Sequence, residues 1–261
     1  MASESGKIDP MHQFQVEPLV PLNVGGYDLS FTNSALFMVV VLALIWVFML
    51  GGMKRELVPG RWQVAVESAT GFITNMLSAN IGPAGKKYAP FVFSLFMFIL
   101  VANLLGMMPI GILPGVHAFT ITSHFTVTGV LAVMSFAIVV VVGFWRHGLH
   151  FFALFVPKGT PLLLVPLLFV IELFSFLVRP FSLALRLFVA MTAGHVLMKV
   201  LAGFVINGLN AEALWIAPLV ALPSFILMIG ISLLELMICA IQAYVFALLT
   251  SFYINDAENL H

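Results

Sequence analysis

Ionisable side chains stand where hydrocarbon is expected. Glu172, Arg179, Arg186 and His195 lie in an almost unbroken apolar stretch from Leu162 to Ile206, and Glu235 lies in the next, Ala213 to Ile254. A guanidinium in a bilayer costs roughly 2.5–3.5 kcal/mol on insertion scales, and it cannot escape that cost by losing its proton. Arg186 is about twenty residues or more from either end of its stretch, too deep for its head to reach water easily. A fixed cation buried with carboxylates and an imidazole is the material of an ion or proton path.

The spacing is as informative as the types. Glu172, Arg179 and Arg186 are seven apart, and 100° per residue leaves each only about 20° off its predecessor, so they share one helical stripe. Ser182 falls within about 40° of Arg186 on that stripe, whereas His195 is about half a turn round and roughly 13–14 Å further along. On the following stretch Glu235 and Gln242 are again seven apart, and Tyr253 comes close to the same face.

Plainer readings stand beside these. Arg179, just before Pro180, either pairs with Glu172 as a structural ion pair or snorkels. Glu235 and His195 either fix the register of a helix pair by hydrogen bonding or titrate together as a relay. His147 and His150 are three apart, but no further ligand cluster accompanies them, so no metal is expected. His117 and His124 sit by a turn where they could flank a water-filled vestibule. The run Gly82-Pro-Ala-Gly-Lys-Lys87 is similar to a phosphate loop, yet Asn80 and Lys87 stand where glycine and a hydroxyl are needed. With no nucleophile–base set either, the chain is expected to have no catalytic site of its own and no cofactor.

The elements that must position these groups follow from composition. Of 261 residues 62% are hydrophobic and 8% charged, against about 25% charged in soluble domains, which makes the chain an integral membrane protein. The lone Cys239 lies in an apolar helix and reads as an inert buried thiol. The fold class is an all-α polytopic membrane protein. A polar tail (1–30), expected outside, precedes a single membrane domain (31–256). Its helices are expected at about 31–53, 88–109, 121–146, 162–206 and 213–254, with a surface helix at 61–80 and a tail at 257–261. The 61–80 segment has apolar residues at three-to-four spacing with polar ones between, the pattern of a helix lying along the membrane face.

Lys54, Arg55, Arg61, Lys86, Lys87, Arg146 and Lys158 fall in connections that alternating spans place on one face, and 109–121 has no lysine or arginine. Positive-inside then puts the N-terminus outside and the C-terminus in the cytoplasm. The last two stretches would approach or exceed 60 Å if continuous, about twice the bilayer core. Each is therefore two spans joined by a turn or one long tilted helix. Between Ser224 and Ile254 there is no proline and one glycine, which favours the long helix and a protein partner for it to lean on.

These residues also carry a resemblance. Arg179-Pro-Phe-Ser-Leu-Ala-Leu-Arg186-Leu-Phe with Thr192-Ala-Gly-His195, the run Ile241-Gln242-Ala-Tyr-Val-Phe246 after Glu235, and Asn103-Leu-Leu-Gly-Met-Met-Pro109 resemble the signatures of subunit a of the F-type ATP synthases. The likeness covers roughly 31 to 256. It implies that the last two helices lie steeply tilted as a hairpin against an oligomeric ring of proteolipid c subunits, each with one buried carboxylate. It further implies peripheral-stalk subunit b, the other ATP synthase subunits and the lipid bilayer as partners, with no nucleic acid. Localisation is expected in the bacterial inner membrane rather than the mitochondrial one.

In that family Arg186 matches the arginine that faces the ring and Gln242 the glutamine near it. Glu172 matches an acidic residue of the cytoplasmic half-channel, and His195 and Glu235 a coupled pair of the outer one. Ser182 goes with the proton path, while Arg179, Asn103, Tyr253 and His124 have structural or channel-lining places. The chain departs from the family at Ala190, where an asparagine is usual, and between Gly106 and Gly111, where some relatives carry acidic groups. The outer vestibule must then be polar through His117, Thr120, Thr122, Ser123 or His124. A stand-alone ion-coupled transporter is the alternative, but no internal repeat supports it. The choice between proton and sodium lies mainly in the ring.

Overall fold

The computed structural model describes residues 15–259 apart from 17, 22, 25–26, 29, 54–57, 109–119, 157–160, 162 and 210–215. Six α-helices account for most of it: α1 (Asn33–Gly52), α2 (Arg61–Ile81), α3 (Ala89–Met107), α4 (Phe125–His147), α5 (Val165–Leu209) and α6 (Ile216–Glu258). Five helical segments, 33–52, 83–107, 125–147, 165–209 and 218–258, are long and apolar enough to cross a membrane. The protein is an all-α polytopic membrane protein.

The polar N-terminal segment is not wholly a tail. β1 (Pro18–Val20) pairs antiparallel with β4 (Phe31–Thr32), and β2 (Asn23–Val24) with β3 (Tyr27–Asp28). This nested hairpin leads into α1, whose first turn Thr32 caps by accepting from the Ala35 N–H. An apolar run beginning at Phe31 therefore starts as strand. Helix begins only where the threonine hydroxyl can satisfy an orphan amide.

α2 is not among the spans. It buries Val66, Ile73, Met76, Leu77 and Ile81 and leaves Trp62, Val64 and Phe72 about half exposed. It packs on α1, α3 and α6.

The two long stretches are each one continuous helix, α5 of 45 residues and α6 of 43, running through Pro180 and Pro223. A helix tolerates an internal proline at the cost of one backbone hydrogen bond, provided packing holds the chain on both sides. Here α5 and α6 form the most extensive interface, with α4 against both and α3 against α6. α5 runs on through Asn207 and Gly208 to Leu209, and a Cβ at Gly208 would lie 3.0 Å from the Ala221 nitrogen of α6, so the missing side chain leaves room for the neighbouring backbone. α6 also runs on through the segment read as a tail from 257, ending at Glu258.

Candidate functional site

The two faces of α5 have opposite fates. Leu183, Leu187, Met191 and His195, at spacing four, are buried in the core. Ser182, Arg186, Val189, Ala193, Leu197 and Val200 are exposed along the other side. Arg186 thus projects as the charged group among these exposed side chains, and it makes no hydrogen bond or ion pair among the described residues. Glu172 is half-buried on the same helix and likewise lacks an ion pair among them. Gln242 on α6 is half-buried.

On the inner face His195 meets Glu235. The imidazole Nε2 is 3.7 Å from Glu235 Oε1, with the two side chains 6% and 2% exposed. A Cβ on residue 194 would lie 2.6 Å from that same oxygen, so only glycine lets the carboxylate lie against α5 here. Neither Glu235 oxygen accepts a hydrogen bond from a described residue, and Thr192 Oγ1 nearby on α5 is also buried with no partner among the described residues. Buried polar groups are rarely left so, because each forfeits hydration worth about 1–3 kcal/mol. Such atoms suit a place where a proton or water passes.

Two further elements close around the pair. Thr120 Oγ1 lies 2.9 Å from His195 Nε2. Next to it, Thr122 Oγ1 donates to Asn103 Oδ1 at 2.8 Å, and Asn103 Nδ2 donates to the Cys239 carbonyl of α6 at 3.4 Å. Cys239 is fully buried, its thiol between the sulfurs of Met107 and Met191. His124 is half-buried with Nδ1 3.5 Å from Ser123 Oγ. His117 lies outside the described residues.

Arg179 corrects an expectation. Its partner is not Glu172, one stripe position away on α5, but Asp256 at the end of α6, at 2.9 Å. The guanidinium also lies over the Phe176 and Tyr253 rings, at 5.6 and 5.0 Å. Side chains seven apart on one helix are two turns apart, whereas the packed α6 offers a carboxylate at contact distance.

Sequence reasoning also passed over Glu258. Its carboxylate is buried and takes Lys87 Nζ and Arg146 at 2.9 Å each and the Tyr88 hydroxyl at 2.7 Å, while its carbonyl lies 3.2 Å from His147 Nε2. A signal was present: Asp256 and Glu258 put negative charge at a helix C-terminus, where the macrodipole is already negative, so each needs a cation.

Residues 34–255 match the family described as ATP synthase A chain. The chain is 72% identical over 263 residues to the ATP synthase subunit a of Rhizorhabdus wittichii and 69% identical over 262 residues to that of Sphingopyxis alaskensis, in each case spanning 100% of both chains. It is 46% identical over 253 residues to the ATP synthase subunit a of Rhodospirillum rubrum, spanning 97% of this chain and 99% of that one.

Proposed function

This chain belongs to the ATP synthase A chain family, and on that premise we propose that it is the fixed membrane subunit that carries protons past the rotor ring of an F-type ATP synthase. It has two half-channels, one reaching each side of the inner membrane, and Arg186 is the charge that separates them.

The observation that carries this reading is the exposure of Arg186 on the outer face of α5 with no ion pair to any described residue. A bare guanidinium facing lipid is heavily penalised, whereas one facing the carboxylate of a passing ring subunit is compensated. The ring carboxylate must be neutral while it crosses lipid. Beside Arg186 its ionised form is favoured, and its proton leaves into one half-channel. Further rotation brings it to the other half-channel, where it is reprotonated before it re-enters lipid. Arg186 cannot pass the proton on, since it never deprotonates, so it blocks a short circuit.

His195 faces inward about half a turn from Arg186 and with Glu235 of α6 carries the outer half-channel, while Glu172 belongs to the cytoplasmic one. Each proton crossing brings about 2.3 kcal/mol per 100 mV, so several must accumulate for one ATP. The basic connections define the cytoplasmic side. The meeting of Lys87 and Arg146 on Glu258 supports the C-terminus lying there too.

Arg186→Ala tests the reading. In inverted vesicles holding the assembled complex, ATP-driven acidification followed with a pH-sensitive dye is expected to vanish. Wild-type acidification in that variant overturns the assignment.

A further inference from the structure

The relay pair is gripped by a side chain from outside the two long helices. Thr120 is 5% exposed and its hydroxyl lies 2.9 Å from His195 Nε2, the same nitrogen that stands 3.7 Å from Glu235 Oε1. One nitrogen is thus shared between a near hydroxyl and a farther carboxylate. We infer that Thr120 is the positioning residue of this relay, holding the His195 ring through both of its protonation states so that Nε2 stays within reach of Glu235. The inference rests on the reading of His195 and Glu235 as part of a proton path.

The chemistry of the side chain is what such a relay requires. A hydroxyl both donates and accepts. When Nε2 carries a proton, Thr120 Oγ1 accepts from it; when Nε2 is bare, the same hydroxyl turns and donates to it. The ring therefore keeps one anchor at every stage of the cycle. A carboxylate anchor would add a charge, and an amide would have to flip.

The surroundings fix the hydroxyl in place. The Thr120 carbonyl accepts from Ser123 Oγ at 2.6 Å and from the Ser123 N–H at 3.2 Å, closing a 3-10 turn over Ile121–Ser123. That turn is tied to α3 by the bond from Thr122 to Asn103, and through Asn103 to the α6 backbone at Cys239. On α3, a Cβ at Gly106 would lie 2.6 Å from Thr120 Oγ1 and 2.7 Å from its methyl. The missing side chain at 106 is what lets the threonine sit between α3 and His195.

Valine has nearly the shape of threonine but no hydroxyl, and serine keeps the hydroxyl without the methyl, so the two separate a hydrogen-bonding role from a packing one. In inverted vesicles, with acidification normalised to incorporated chain and to ATP hydrolysis, T120V is expected to pump roughly fivefold to tenfold more slowly, about the effect of one buried hydrogen bond. T120S should pump within about twofold of wild type. G106A, which pushes the hydroxyl away, should resemble T120V, and the double variant should be no worse than either single one.

Wild-type pumping by T120V, or a greater loss in T120S than in T120V, overturns the inference while leaving the proton path intact. If T120V is not incorporated, G106A and T120S carry the test, and equal pumping by these two overturns it. His195→Ala is the separating control. Normal pumping in that variant sinks the proton-path reading and this inference together.

Discussion

At the level of single residues, α5 separates two kinds of polar group by half a turn. Arg186 faces out and His195 faces in, the 180° offset that nine residues of helix impose. That division was legible in the spacing alone. The partner of Arg179 was not, because it depends on which residue of α6 arrives opposite. Arg179 is 26% and Asp256 36% exposed, so their bond is partly screened. Arg179→Gln and Asp256→Asn should therefore each destabilise modestly, with a coupling of about 0.5–1 kcal/mol in a double-mutant cycle. Thermal inactivation of detergent-extracted complex measures it. Additive losses would mean that the pair is not coupled.

At the level of elements, the contact between α5 and α6 at the relay depends on a missing side chain. A methyl at position 194 would press on the Glu235 carboxylate, and overpacking of this kind costs about 1–3 kcal/mol. Gly194→Ala should then slow proton pumping at least about tenfold by displacing Glu235 from His195. Gly230 on α6 is a control, since a Cβ there has nothing within 4 Å. Gly230→Ala should pump as wild type. ATP-driven acidification of vesicles compares the two, and equal pumping would remove the steric argument.

For the molecule as a whole, Glu258 ties the end of α6 to the segment before α3 and to the end of α4. The end of α6 is thus clasped where the basic connections gather. Lys87 and Arg146 are about half exposed, so the clasp is worth less than a fully buried pair. Glu258→Gln, which keeps a hydrogen-bonding group and removes the charge, should destabilise by about 1–2 kcal/mol. It should lower the temperature at which the complex sheds this chain without abolishing pumping. An unchanged temperature would remove the clasp from the account.

The sequence by itself determined the membrane class, the number of spans and the surface helix, and it singled out the residues on which the proposed proton path rests. Hydropathy, charge placement and helical period are local properties, and they are written directly in the order of residues. The single-helix nature of α5 and α6 was legible only in part. Absent prolines and glycines favoured it between Ser224 and Ile254, but packing decided it through Pro180 and Pro223. Tertiary structure alone decided which side chains meet: Thr120 with His195, Arg179 with Asp256, and Glu258 with Lys87 and Arg146. Those contacts join residues 75 to 171 positions apart. Their register is set by how whole helices pack, which no local pattern encodes.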